Sequence, residues 1–217
     1  MNMEIPVVIF LGAPGAGKGT QATYLAEAKS IPKISTGDML RSAVHEDSEL
    51  GRKVQMIMKE GRLVDDKTML SLVKERIAHN DCRNGFILDG YPRNLAQASA
   101  LDTVLTPEMK LKVLNIQVSE EEIVKRIAGR RTCAKCGRIY NIYFRPPDFD
   151  EKCDLDGASL CQRSDDDESV VRKRLATYKE ETLPLIRHYR DRKILQVING
   201  LQAQAAVRKA VLAAVDR

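Results

Sequence analysis

Residues 5–29, IPVVIFLGAPGAGKGTQATYLAEAK, constrain this chain more than any other stretch. The opening run IPVVIFLG is short, apolar and β-branched, with no alternating polar positions, which is the pattern of a strand buried on both faces. A glycine-rich turn follows, and residues from Lys18 to Lys29 read as a helix. Strand, glycine loop and helix in that order let successive backbone N–H groups at a helix N-terminus cradle an anion. Lys18 adds a point charge suited to terminal phosphates. The loop departs from the usual G-x-x-x-x-G-K-[ST] pattern at one place. Gly12, Gly17 and Lys18 are in register, but the next residue is Gly19, and the hydroxyl falls on Thr20.

A doubly buried first strand needs parallel neighbours. GFILDG at 85–90, KVLNIQV at 112–118 and KILQVI at 193–198 are candidates, with PKIST at 32–36 as a fifth. Helical patterns at 66–79, 94–104, 119–128 and 167–191 separate them. This alternation predicts an α/β fold, a parallel sheet flanked by helices with right-handed crossovers. Two segments break it. Residues 36–64 read as two short helices with Gly51 and Gly61 as breaks, and residues 129–166 carry a cysteine cluster, Pro146, Pro147 and the aromatic piece RIYNIYF, the marks of a small inserted domain.

The 217 residues suffice for one core plus insertions. A net charge of +5 suits an anionic partner, whether nucleotide, nucleic acid or membrane surface. The first apolar run is too short for a membrane helix and is not preceded by a signal-peptide pattern, so a cytoplasmic protein without membrane attachment is expected. Five cysteines, an odd number with three close together, fit reduced thiols and metal binding better than a disulfide framework.

Strand GFILD would end at the sheet's C-terminal edge, where α/β folds bind ligands, and so would place Asp89 there as a magnesium ligand, direct or through water. Arg93, four residues on, offers a planar donor fork for phosphate. STGDMLR at 35–41 reads as a helix start, either that alone or one that brings Thr36 and Arg41 to a second nucleotide. Arg126, Arg130, Arg131, Arg138, Arg163, Arg172 and Arg174 form either a solvated basic face or a clamp on a transferring phosphoryl group. Asp165 to Glu168 read as a solvated helix start, and Cys82 as an ordinary small side chain. Cys133-x-x-Cys136 followed by Cys153-x-x-Asp156 has structural-zinc spacing, with Asp156 or Cys161 as the fourth ligand.

GAPGAGKGTQ, STGDMLR, LVDD, GFILDGYPRN with Gln97, GRR at 129–131, QRSDD at 162–166 and VRKRL at 171–175 occur in one order. Together they resemble the adenylate kinases, in the long-lid bacterial form, over nearly the whole chain. In that family the loop ends G-K-G-T, so Gly19 is in pattern, and magnesium support passes largely to Asp89 and solvent. The resemblance implies a five-stranded core (1–34, 65–128 and 167–217), an AMP-binding domain (35–64) and a lid (129–166). It implies ATP on Gly15, Ala16, Gly17, Lys18, Gly19 and Thr20, with Arg126 and Arg130 near the phosphates and Ile139, Tyr140 and Gln202 at the adenine end. AMP would meet Thr36, Arg41, Arg62, Leu63, Val64, Gly90, Tyr91, Pro92, Arg93 and Gln97. Arg163 and Arg174 would reach the phosphates between the nucleotides. Lys18, Asp89, Arg93, Arg130, Arg163 and Arg174 would carry catalysis. Zinc would sit on Cys133, Cys136, Cys153 and Asp156. The implied reaction is Mg·ATP + AMP ⇌ 2 ADP in a monomer, with no nucleic-acid partner. A UMP or CMP kinase is the nearest alternative, and Thr36 and Gln97 favour AMP. A zinc-containing nucleic-acid-binding module has only the charge and the C-x-x-C in its favour, because the basic residues adjoin the phosphate motifs. A GTPase is disfavoured, because the chain has no N-K-x-D guanine-reading segment.

Overall fold

The computed structural model describes residues 4–45 and 49–216. The expected buried strand is β1 (Ile5–Leu11), and the glycine loop leads from it into α1 (Lys18–Lys29). Then come β2 (Lys33–Ser35), α2 (Thr36–His45), α3 (Glu49–Lys59) and α4 (Asp66–Ile77). Next are β3 (Phe86–Asp89), α5 (Leu95–Asp102), β4 (Met109–Gln117) and α6 (Glu120–Ala128). The insert holds β5 (Arg130–Cys133), β6 (Ile139–Asn141) and β7 (Leu160–Cys161), and the chain closes with α7 (Glu168–Thr177), α8 (Pro184–Asp191), β8 (Leu195–Asn199) and α9 (Gln204–Asp216).

β2-β3-β1-β4-β8 form a five-stranded parallel sheet. Because side chains alternate along a strand, β1 feeds two cores. Val7, Ile9 and Leu11 pack with Phe86, Leu88, Leu101 and Leu185 on one face, and Val8 and Phe10 pack with Leu25, Leu114 and Val211 on the other. β1 lies between β3 and β4, so the strand order reverses at its C-terminal end. That switch point is where an open α/β sheet leaves a crevice, and it places the glycine loop and Asp89 side by side. A second sheet, β6-β5-β7, is antiparallel and short, and packs around Cys133, Tyr140 and Cys153.

Caps define several helix starts. Asp65 accepts from Thr68 N at 2.9 Å, Asn94 from Gln97 N at 2.8 Å, and Asp167 from Ser169 N at 2.9 Å. Helix α1 has no such side-chain cap, since Gly17 stands at its N-terminus with φ 97°. Among the described residues no helix is long and apolar enough to cross a membrane.

The sequence reading needs correction in three places. Gly51 lies inside α3 and does not break it, because Val54 packs that helix into the core and this outweighs the roughly 1 kcal/mol propensity cost of a glycine. Residues 46–48, within the segment read as two helices, lie outside the described residues. The helix expected over 167–191 is divided by a π-turn at Tyr178–Thr182, where Leu183 N donates to Tyr178 O at 2.8 Å. Pro184, at the first position of α8, has no N–H to continue the ladder. Helix α9 was not among the expected elements.

Candidate functional site

The loop geometry rests on close backbone approach. Gly12 has φ 140°, and a Cβ there would sit 2.5 Å from Ile116 O, so only glycine lets the loop turn off β1 against β4. Lys18 Nζ donates to Gly12 O at 2.8 Å and Ala13 O at 3.0 Å, which folds the side chain back over its own loop. A Cβ on Gly19 would lie 3.1 Å from Asp89 Oδ2. The position where other phosphate loops carry Ser or Thr therefore faces the strand-end carboxylate, and Asp89 occupies the place a hydroxyl would need.

A cleft of about 550 Å³ opens over this loop. Its walls include Gly15 to Thr20, Asp89, Arg126, Arg130, Ile139, Tyr140, Arg163 and Gln202. Thus every residue expected on the ATP side reaches one cavity. A smaller cavity of about 60 Å³ is lined by Thr36, Arg41, Arg62, Leu63, Val64, Gly90, Arg93, Gln97 and Arg174. Arg41, Arg93 and Arg174 line both cavities and form the wall between them. Two expected contacts stand further back. Tyr91 is 1% exposed and donates its hydroxyl to Gln97 O at 3.2 Å, and Pro92 lines neither cavity but a third pocket, beneath the arginines.

Electrostatically the site is a collection of cations held close together. Burial, with Arg93, Arg174 and Arg130 nearby and only partly offset by Asp89, lowers Lys18 to about 8. Burial and Arg174 lower Arg93 to about 10, and burial with Arg130 and Arg41 lowers Arg163 to about 10. Arg93 Nε donates to Gly90 O at 2.8 Å, and Arg163 Nε donates to Thr132 Oγ1 at 3.0 Å with Asp38 Oδ1 at the edge of ion-pair distance, 4.0 Å away, so both heads are aimed by neutral oxygens and not by a tight carboxylate pair. Such an arrangement is complementary to a multiply charged anion.

Two acids escaped the sequence reading. Asp165 and Asp166, expected on a solvated helix start, are 5% and 3% exposed. Arg130 Nε donates to Asp166 Oδ2 at 2.7 Å with a second bond to Oδ1, and Arg174 lies 2.8 Å from Asp165 Oδ2. Burial opposes ionisation of Asp165, but Arg174 and its fellow arginines outweigh it and hold the carboxyl below its usual range. A run of four acids normally signals solvent, and only the QRSDD motif marked it out. Of the remaining arginines, Arg172 stays on the surface with Glu168, and Arg138 lies over the Tyr140 ring. The arginines in and around the insert therefore divide between clamp and surface. Cys82 is buried, as a small core side chain, and contacts Arg76.

In the insert, ligand atoms of Cys133, Cys136, Cys153 and Asp156 lie within 4.8 Å of one another. Cys161 is exposed on β7, its Sγ 3.4 Å from Thr132 O, and stands outside this group.

Comparison with known proteins gives one consistent result. A family model described as adenylate kinase matches residues 10–194. The chain is 50% identical over 196 residues to the adenylate kinase of Thermodesulfovibrio yellowstonii, covering 89% of this chain and 91% of that protein. It is 50% identical over 213 residues to the adenylate kinase of Archaeoglobus fulgidus, covering 97% and 98%. The adenylate kinase of Thermosipho africanus is likewise 50% identical, over the full length of both chains.

Proposed function

The chain belongs to the adenylate kinase family, and we propose that it catalyses reversible phosphoryl transfer, Mg·ATP + AMP ⇌ 2 ADP, with the residues assigned below. The observation that carries the assignment is the shared wall: Arg41, Arg93 and Arg174 face both the cleft over the phosphate loop and the smaller cavity beside Thr36 and Gln97. Two nucleotides bound in these cavities would bring their phosphates together at that wall.

ATP takes the larger cleft, its phosphates on the backbone of Gly15 to Thr20 and on Lys18, its adenine end near Ile139, Tyr140 and Gln202. The AMP base takes the smaller cavity, toward Gln97, and its phosphate lies on Arg41 and Arg93, which open also to the larger cleft. The phosphoryl group passes between them with no covalent enzyme intermediate. Lys18, Arg93, Arg130, Arg163 and Arg174 neutralise the charge that develops on it, and their preorganised positions do most of the catalytic work. Magnesium arriving with ATP supplies further neutralisation, and Asp89, the carboxylate beside the loop, fits the role of supporting its water shell.

Residues 35–64 serve as the AMP-binding part and residues 129–166 as a lid that excludes water during transfer. The Cys133, Cys136, Cys153 and Asp156 set fits zinc, with three soft thiolates and one carboxylate, all protein groups. Such a set leaves no coordination position for substrate, so the metal would be structural.

A coupled assay of ADP formation with AMP, CMP and UMP as separate acceptors tests the reading. AMP should be phosphorylated far faster than the pyrimidine nucleotides. Equal or preferential use of UMP or CMP would replace adenylate kinase by another monophosphate kinase.

A further inference from the structure

The amide of Gln97 is held at both ends. Its Nε2 donates to Asp66 Oδ1 at 2.8 Å, and its Oε1 accepts from Arg93 N at 2.8 Å. Asp66 is an acceptor and a backbone N–H is a donor, so the amide has one allowed orientation, and a flip would set two donors against each other. Asp66 is itself fixed, because Asn94 Nδ2 donates to the same oxygen at 3.0 Å while Asn94 Oδ1 caps α5. Gln97 is 2% exposed and lines the smaller cavity. A primary amide has two N–H groups and two lone pairs, so each end retains one bonding position. What remains is one donor and one acceptor in a fixed order.

We infer that Asp66 is a specificity-determining positioning residue: by fixing the Gln97 amide, it makes the cavity accept a base edge that pairs a ring acceptor with an exocyclic donor and reject the reversed edge. The inference rests on the reading that Gln97 faces the base of the acceptor nucleotide. Adenine has the accepted pattern, a ring nitrogen acceptor beside an amino donor. Hypoxanthine, the same size, has the reverse, a ring N–H beside a carbonyl. An unconstrained glutamine could serve either by rotating its amide. Here the reversed edge must either leave buried polar groups unpaired or break the bonds to Asp66 and Arg93, and both cost affinity.

The test is kcat/KM for AMP and for inosine monophosphate at saturating ATP, in wild type, Asp66→Ala, Asp66→Asn and Gln97→Ala, with Tm recorded for each. Asp66→Ala should narrow the AMP-to-IMP preference by about tenfold, the scale of one charge-assisted hydrogen bond, with KM for ATP unchanged. Asp66→Asn retains an acceptor that Asn94 still orients, so it should restore most of the preference. If Asp66→Ala lowers both substrates equally, or leaves the ratio at its wild-type value while Gln97→Ala collapses it, Asp66 is only a structural acid and the inference is wrong. If Asn behaves as badly as Ala, acceptor geometry is not the cause, and the inference again fails. If Gln97→Ala leaves the ratio at its wild-type value, the base does not lie at Gln97, and the assignment of the AMP cavity falls together with the inference.

Discussion

Lys18 shares a small volume with Arg93, Arg130, Arg174 and Asp89. Its lowered pKa of about 8, caused first by burial, lies below the ordinary 10.5. The ligand-free fold therefore carries the cost of the charged ammonium in full below about pH 8 and is relieved of it as pH rises toward 10.5. A bound polyanion restores the charged form, so anion affinity should be level up to about pH 8 and fall above it. Calorimetric titration with sulfate, whose own charge is constant between pH 7 and pH 9, should show about tenfold weaker binding at pH 9 than at pH 7, with close to one proton taken up at pH 9. Equal affinity at both pH values without proton uptake would falsify Lys18 as the anion's partner. Asp166 gives a second prediction at this scale. Its side chain is fully buried and pairs with both Arg130 and Arg174. Asp166→Ala strands the partly buried Arg130, while Arg174 keeps Asp165 at 2.8 Å, and it should cost about 3 kcal/mol, or on the order of 10 °C in Tm. A melt within about 2 °C of wild type would mean that solvent compensates Arg130. The sequence made Lys18 legible because glycines and a strand announce it. It left Asp165, Asp166 and Asp66 unread as working residues because an acid's local neighbours look the same whether an arginine from a distant element or only water covers it.

At the scale of elements, β1 and β3 were legible because burial on both faces leaves an uninterrupted apolar run, and the edge strands β2 and β8 were legible only as short mixed pieces between helical patterns. The strands β5, β6 and β7 were not, since two to four residues of mixed polarity carry no period. Their small core is Cys133, Tyr140 and Cys153, with Ala158 and Leu160 against it. So little apolar surface stabilises few residues, and a metal cross-link is the natural supplement. Chelation should lower Tm, and activity measured at low temperature should persist, because a metal held by all four protein groups would have no open position to offer substrate. Metal content after gel filtration should drop in Asp156→Ala and stay near wild type in Cys161→Ser. The spacing allowed either residue as fourth ligand, and the fold separates them by placing Cys161 on β7 with its thiol toward Thr132 O. Loss of metal from Cys161→Ser but not from Asp156→Ala would reverse that choice. A folded metal-free protein inert at every temperature would count against a purely structural role.

The molecule as a whole is two cavities that meet at one wall, and this arrangement separates binding from chemistry by position. Arg126 lines only the larger cleft, where it also donates to Gly200 O at 2.9 Å. Arg62 lines only the smaller cavity. Arg93 lines both, and its backbone carbonyl accepts from Thr182 Oγ1 at 2.6 Å, which ties the wall to the π-turn. Alanine at the three positions should therefore give three kinetic patterns. Arg126→Ala should raise KM for ATP and leave KM for AMP near wild type. Arg62→Ala should do the converse, and modestly, because its side chain is largely exposed and paired with Glu60. Arg93→Ala should lower kcat by about a hundredfold or more, since on the proposed assignment its charge matters most when the phosphoryl group is between the two nucleotides. Steady-state kinetics with each substrate varied in turn distinguishes these cases. Should Arg93→Ala raise only the KM for AMP with kcat intact, the arginine would be a ground-state contact of one nucleotide, and the shared wall would not be the place of transfer.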